Sequence, residues 1–428
     1  MGIFDLFKGS APKPRAAVSA PNSVVTKPPF TDTPYVVVHQ GEGRHGAYQI
    51  DPAIIAQGSA AVLRFVLSDD MLEEVMHNGS DKALVVFHRS HGMCDVNAAL
   101  DPSTVNRFVT DVARRNKRPL DDAHPFLDGT LEDGSRINVS IPPISGVWPN
   151  FTVRKFRSTT ITMPDLIRYG AVSPEAAAFL WCAIEGLGHL AANVLVVGGT
   201  GSGKTTLLNA LAALAPMHHR VVVIEDTREL KVPQPNTLRM ATTEAVTMDH
   251  LLVNALRQRP DRIVVGEVRS SEARTLFTAM NTGHDGCMGT LHANSARESM
   301  MRITTAPMSV PLAQVAALDL VVVQHRKTVD GASRRYCAEI TEVSGFSSDT
   351  ARLNQIFVWD EFKRELAGTG VPSRMRTKVC HAAGITADLF VRIQTRRMKM
   401  LVDLAKRSAK EAEVLKAYEE EHARGKQP

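Results

Sequence analysis

Aromatic residues make up only 5% of the 428-residue chain. That is too few for the stacking platforms on which single-stranded nucleic acid is held. No apolar run approaches the roughly 18–20 residues that a bilayer-crossing helix needs. Runs such as Ala191–Val197 and Leu320–Val323 have the length of buried strands. Cysteine is scarce: Cys94, Cys182, Cys287, Cys337 and Cys380 are scattered, odd in number and form no C-x-x-C pair. That pattern excludes a disulfide scaffold and suits a reducing compartment. The N-terminus shows neither a secretory apolar core nor a cleavage signal, so a cytoplasmic protein without a direct membrane span is expected. Neither sign of charge dominates, since 50 Lys and Arg stand against 45 Asp and Glu, a formal +5. So small an excess argues against a dedicated nucleic-acid partner. What is left is an average globular composition, 44% hydrophobic and 22% charged. At about 100–200 residues per domain, the length predicts two to four folded units.

Residues 8–30 hold five prolines and four basic residues with no acid, a composition that cannot bury a core. Residues 1–30 are therefore expected to be disordered, with Ile3, Phe4, Leu6 and Phe7 as an apolar patch ahead of the linker. Residues 31–150 alternate strand-like and helix-like pieces. Tyr35–Val38 and Ala83–His88 are β-rich, whereas Val105, Phe108, Val109 and Val112 have helical spacing. Arg136–Ile141 alternates after the Asp133-Gly134 turn, as a hairpin strand does. This predicts a smaller mixed α/β domain. Residues 151–345 look doubly wound. The short apolar runs Asn193–Val197, Val221–Ile224 and Arg262–Val265 are separated by stretches of helical spacing. Such a pattern predicts an α/β fold with a parallel sheet covered on both faces. Residues 346–428 are expected to be a helical C-terminal extension. Leu389, Ile393, Met400, Leu401 and Leu404 form its apolar stripe.

The chemistry concentrates at Gly198, Gly199, Thr200, Gly201, Ser202, Gly203, Lys204 and Thr205, which fit G-x-x-x-x-G-K-[ST] in full between a β run and a helical run. Glycines let successive backbone N–H groups turn toward phosphate oxygens, and the helix start adds its positive dipole end. Lys204 then supplies charge to the β and γ phosphates of ATP, Thr205 a hydroxyl to Mg²⁺, and Thr206 continues the binding set. Two further strands end in acids, Val221–Glu225 with Asp226 and Arg262–Glu267. Ligands of open parallel sheets bind beyond the carboxyl ends of the strands. One carboxylate can hold Mg²⁺ through water, with Glu267 the candidate, and the other can orient the attacking water. A strand-end acid can also be a mere cap or salt-bridge partner. There is no N-K-x-D guanine-reading motif in the chain.

Four segments in order resemble one family. Gly198–Leu208, Ile224–Glu229, Ala255–Arg269 and Gly289–Ser295 look like the Walker A, Asp box, Walker B and His box of the type II/IV secretion ATPases. Asp133–Arg136, Val153–Arg157, Ala279–Gly286 and Ala306–Pro311 also look like family signatures. The likeness covers roughly residues 100–345 and is nearest to archaeal archaellum or type IV pilus assembly ATPases. It implies a RecA-like P-loop ATPase domain, a ring homo-hexamer, and a polytopic membrane platform protein as partner, so that the chain sits peripherally at the inner face of the membrane. It further implies Glu267 as the main catalytic carboxylate, Glu225 as its partner and His292 as a γ-phosphate sensor. Arg136, Arg154 and Arg157 are implied as cations reaching the phosphates. One departure concerns Asp261, which precedes its strand while Gly266-Glu267 follows it, so the Mg²⁺ ligand set stays open. A nucleic-acid-translocating or conjugation-type ATPase on the same core is the alternative.

Overall fold

The computed structural model describes residues 25–26, 35–38, 46–156, 160–243, 245–329, 332–347 and 350–425. The chain divides into two compact units, residues 1–156 and 157–428. The division falls after Phe156 rather than at 150. The strand Asn150–Arg154 pairs on both sides with strands of the first unit, Leu72–His77 and Arg136–Ser140.

Among the described residues, the first unit holds a nine-stranded sheet. Its neighbours are antiparallel except for Gly46–Ile50 beside Gly92–Ala99, which run parallel. The hairpin read from Asp133-Gly134 joins Phe126–Thr130 to Arg136–Ser140. Helix Pro102–Asn116 starts on an Asp101 side chain that accepts from Thr104 N–H, a standard N-terminal cap. Its Val105, Val109 and Val112 join Val62 and Val66 of helix Ser59–Ser68 in the core over the sheet. Composition placed Val25 and Thr26 in a disordered segment, but they pair antiparallel with Val37 and Val38. The patch from Ile3 to Phe7 lies outside the described residues.

The second unit carries the α/β fold that the apolar runs predict. Six parallel strands lie in the order Thr237–Ala241, Val221–Glu225, Arg262–Val268, Met288–Leu291, Val194–Gly198 and Leu320–Val329. Val194–Gly198 and Val221–Glu225 are buried at every position, as strands covered on both faces must be. One face packs helix Pro174–Glu185 with Trp181 and Phe179, and the other packs Leu252, Phe277 and Met300. The sheet then continues antiparallel through Ala332–Ser347, Thr350–Asp360 and Glu365–Gly368. The expected helical extension therefore begins only at Arg374, with helices Arg374–Ala383, Ala387–Lys406 and Glu411–Arg424. The extra strands escaped notice because their backbone pairing is regular while much of their side-chain surface is exposed. Ile393, Leu401 and Leu404 are buried in the core, and Leu389 and Met400 pack against it. No helix among the described residues is long and apolar enough to cross a membrane.

Candidate functional site

Parallel pairing places the carboxyl ends of the six parallel strands along one edge. The glycine loop leaves that edge at Gly198, which is in register with Gln324. A Cβ at position 198 would lie 2.4 Å from the Gln324 carbonyl oxygen and 2.5 Å from Ser202 Oγ, so only glycine fits. Gly201 has φ +69, the left-handed region open to glycine at little cost. Helix Lys204–Ala212 starts directly after the loop, and Thr205 and Thr206 lie in its half-buried first turn. Loop amides and helix start thus form an anion cradle.

Lys204 is buried, and its Nζ donates to the carbonyls of Gly198 (2.9 Å) and Gly199 (3.0 Å). The same Nζ lies 3.4 Å from His292 Nδ1. His292 follows the strand Met288–Leu291, which separates the P-loop strand from the Glu267 strand. Its Nε2 lies 3.0 Å from Glu267 Oε1, and Arg269 Nη2 donates to Glu267 Oε2 at 2.6 Å. Arg269 also stands 3.4 Å from Asp226. Register between the Glu267 and His292 strands shifts between Val265 and Val268. A bulge of this kind re-aims a side chain, and Thr290 Oγ1 takes up the Gly266 carbonyl there. The result is a continuous line of contacts from Lys204 through His292 and Glu267 to Arg269.

The charges in this line tune one another. Burial pushes the Glu267 carboxyl up, but the Arg269 hydrogen bond and the charges of Arg269, His292 and Lys204 outweigh it, and the net shift is downward. Burial and the Lys204 charge hold His292 below the usual imidazole range. At neutral pH the site therefore pairs an ionised carboxylate with a neutral imidazole. With a cation on the Nδ1 side and a carboxylate on the Nε2 side, the proton belongs on Nε2.

Glu225 sits on the same edge but in a different setting. It is buried, and its Oε1 accepts from the N–H groups of Glu229 and Leu230 at 2.8 and 2.7 Å. It anchors the loop that follows its strand. Its Oε2 is buried without a hydrogen-bond partner, and burial raises its pKa against the pull of those two N–H groups. Arg136 and Arg154 are register partners on adjacent strands of the first unit, both exposed. Arg157 lies outside the described residues.

Sequence reasoning passed over two cations. Arg335 Nε donates to the Gly201 carbonyl at 2.8 Å, and a Cβ at Gly201 would lie 2.8 Å from Arg326 Nη1. The available signal was the abrupt change in Leu320–Val329 from four apolar residues to Gln-His-Arg-Lys. A cavity of about 210 Å³ opens beside Glu267, Arg269, His292 and Arg302. Mg²⁺ fits this chemistry only in part. No group of three or more His, Cys, Asp or Glu suited to a metal exists among the described residues. A cation here would rely on the Thr205 hydroxyl, water and the oxygens of a bound phosphate.

The family described as Type II/IV secretion system protein matches residues 56–367. An uncharacterized protein of Methanocaldococcus jannaschii is 47% identical over 240 residues, which is 54% of this chain but 33% of that protein's length. The conjugal transfer protein TrbB of Rhizobium radiobacter is 35% identical over 293 residues, covering 66% of this chain and 87% of TrbB. Among solved structures, the Legionella pneumophila ATPase DotB aligns with a TM-score of 0.50 at 17% identity, over 81% of this chain and 91% of that one. That last likeness is one of fold.

Proposed function

Because the chain belongs to the Type II/IV secretion system protein family, we propose that it is a Mg²⁺-dependent ATPase that powers a pilus-like filament, archaellum or secretion machine. The observation that carries this reading is the line Lys204–His292–Glu267–Arg269 along the edge from which the P-loop springs. Phosphoryl transfer needs little covalent chemistry from a protein; it needs positioning and charge. Loop amides and Lys204 would hold the phosphates. Thr205, and Glu267 through water, would hold Mg²⁺, which on binding neutralises phosphate charge. Ionised Glu267 orients the attacking water, and neutral His292, with Nδ1 beside Lys204 and Nε2 toward Glu267, links the phosphate-holding cation to that carboxylate as the γ-phosphate sensor. Glu225, with one free oxygen at the same edge, is the proposed partner acid. Arg136, Arg154 and Arg157 are kept in the proposal as phosphate-directed cations.

The wider reading is a cytoplasmic homo-hexameric ring working on a polytopic membrane platform protein, with ATP-driven closure as the stroke. A conjugation-type role is the second reading, favoured by the TrbB likeness over 87% of that protein. Glu267→Gln separates binding from chemistry. It should keep ATP affinity and lose about 10²–10³-fold in turnover, while Lys204→Ala should lose nucleotide binding. Unchanged turnover in Glu267→Gln would remove Glu267 from the mechanism. ATPase activity raised strongly by DNA would favour the second reading.

A further inference from the structure

The P-loop has a second flank, supplied by the hairpin on the other side of its strand. Val194–Gly198 runs in register with Leu320–Gln324, and there the P-loop strand stops. Its neighbour continues, and Ala332–Ser347 returns antiparallel with Arg326 opposite Arg335. Polarity switches at the same point. Leu320, Val321, Val322 and Val323 are fully buried, Gln324 is also buried, His325 is half-buried, and Arg326 and Lys327 are exposed. The hairpin therefore turns cationic just where it passes the glycine loop.

Both guanidinium groups reach that loop. Arg335 Nε donates to the Gly201 carbonyl at 2.8 Å, and its Cδ would lie 3.4 Å from a Cβ at Gly203. Arg326 Nη1 and Cζ would stand 2.8 and 3.6 Å from a Cβ at Gly201. Like charges directly opposite on antiparallel strands repel. The next register pair, Lys327 opposite Arg334, adds two more cations, although Lys327 also meets Glu361 at 3.3 Å. The adjoining cradle is built for an anion, and both guanidinium groups flank it.

We propose that Arg326 and Arg335 are a second phosphate-reading element of the same unit as the P-loop, selective for nucleoside di- and triphosphates. Arg335 is a positioning residue that fixes the Gly201 peptide so that the loop amides converge. Arg326 contacts the phosphate chain of the bound nucleotide. Guanidinium suits this task because its planar fork of donors matches phosphate oxygens and its charge does not titrate away. The inference rests on the nucleotide reading above, and the test keeps the two apart.

ADP affinity is measured by calorimetry on the full chain, with ATP turnover alongside. Arg326→Ala should weaken ADP about tenfold, the scale of one lost charge-assisted hydrogen bond, and Arg326→Lys should recover part of it. Arg335→Ala should raise KM for ATP and lower kcat together, and Arg335→Lys, which keeps a donor, should restore kcat before KM. A purely structural role would not be rescued in that order. Lys204→Ala is the reference. If Lys204→Ala abolishes ADP binding while Arg326→Ala and Arg335→Ala bind within twofold of the parent chain, the arginine proposal is overturned and the nucleotide site stands. If Lys204→Ala binds ADP normally, the nucleotide site itself is overturned. Should Arg335→Ala fail to fold, Arg326→Ala decides alone, and parent-like ADP affinity in that variant overturns the proposal.

Discussion

Two acid–arginine clusters in the second unit use the same chemistry for opposite ends. At the sheet edge, Arg269 holds Glu267 and Asp226 while its side chain is 62% exposed. Beneath the C-terminal helices, Arg397 meets Glu185 and Glu421 with its side chain 0% exposed. Arg396 adds a second cation to Glu421 at 2.7 Å, so two arginines balance two glutamates. The Arg397 guanidinium also lies 4.9 Å from the centre of the Trp181 ring. Water can replace Arg269 on its carboxylates, so that pair contributes little to stability and is free to rearrange around a ligand. No water replaces Arg397. Its carboxylates come from helices Pro174–Glu185 and Glu411–Arg424, and its own helix, Ala387–Lys406, lies between them in the chain. Exposure, rather than residue type, separates the cluster proposed to act on a ligand from the one that holds helices together.

The sharpest way to break this contrast is Arg397→Ala. It leaves Glu185 and Glu421 buried with half their countercharge gone, and removing one partner of a buried network costs about 3–5 kcal/mol. Urea unfolding should show a loss of that size in the second unit. A variant that unfolds at the parent's midpoint would mean that the buried cluster is as dispensable as the exposed one.

Acid should find the same seam. Trp181 Nε1 donates to His422 Nε2 at 3.1 Å, and burial, then the Arg397 charge, lower the imidazole from 6.5 to about 4. Between those values the unfolded chain takes a proton that the folded chain refuses. The stability contribution is therefore full above pH 6.5 and is lost as pH falls toward 4. An upper bound is about 3 kcal/mol, because each tenfold change in proton affinity is worth about 1.4 kcal/mol. His422→Gln should flatten the decline of second-unit stability over that window. His292→Gln should flatten it less, because the His292 side chain is 40% exposed. Equal slopes in the two variants would erase the distinction.

These clusters differ in legibility for the same physical reason. The glycine loop, Lys204, Glu225 and Glu267 stood out as candidates in the sequence because a phosphate cradle is built from local backbone geometry and strand ends. Short stretches of sequence dictate both, whereas His292 was marked only by the family resemblance. Arg397 meets partners at 185 and 421, and nothing local marks a buried ion network. Arg326 and Arg335 were hidden for a related reason. Their place beside Gly201 depends on the register of a hairpin that begins more than a hundred residues after the loop. The strands Thr350–Asp360 and Glu365–Gly368 read as part of a charged extension, since a half-exposed sheet edge carries a weak apolar signal.

Arg269→Ala makes the smallest change to the fold and asks the most specific question of the comparison. Its exposure predicts that unfolding free energy moves by no more than about 0.5 kcal/mol. Turnover should respond more, because Arg269 holds one oxygen of Glu267 and helps keep the carboxylate ionised. A loss of about tenfold in kcat corresponds to about 1.4 kcal/mol of transition-state stabilisation. Without Arg269, burial acts on Glu267 with less opposition, so its pKa rises and the acidic limb of the kcat profile shifts to higher pH. Arg269→Lys restores the charge but not the planar fork, so it should return the limb toward the parent position while kcat recovers only in part. An Arg269→Ala profile that overlays the parent's would show that the exposed cluster neither positions nor tunes Glu267.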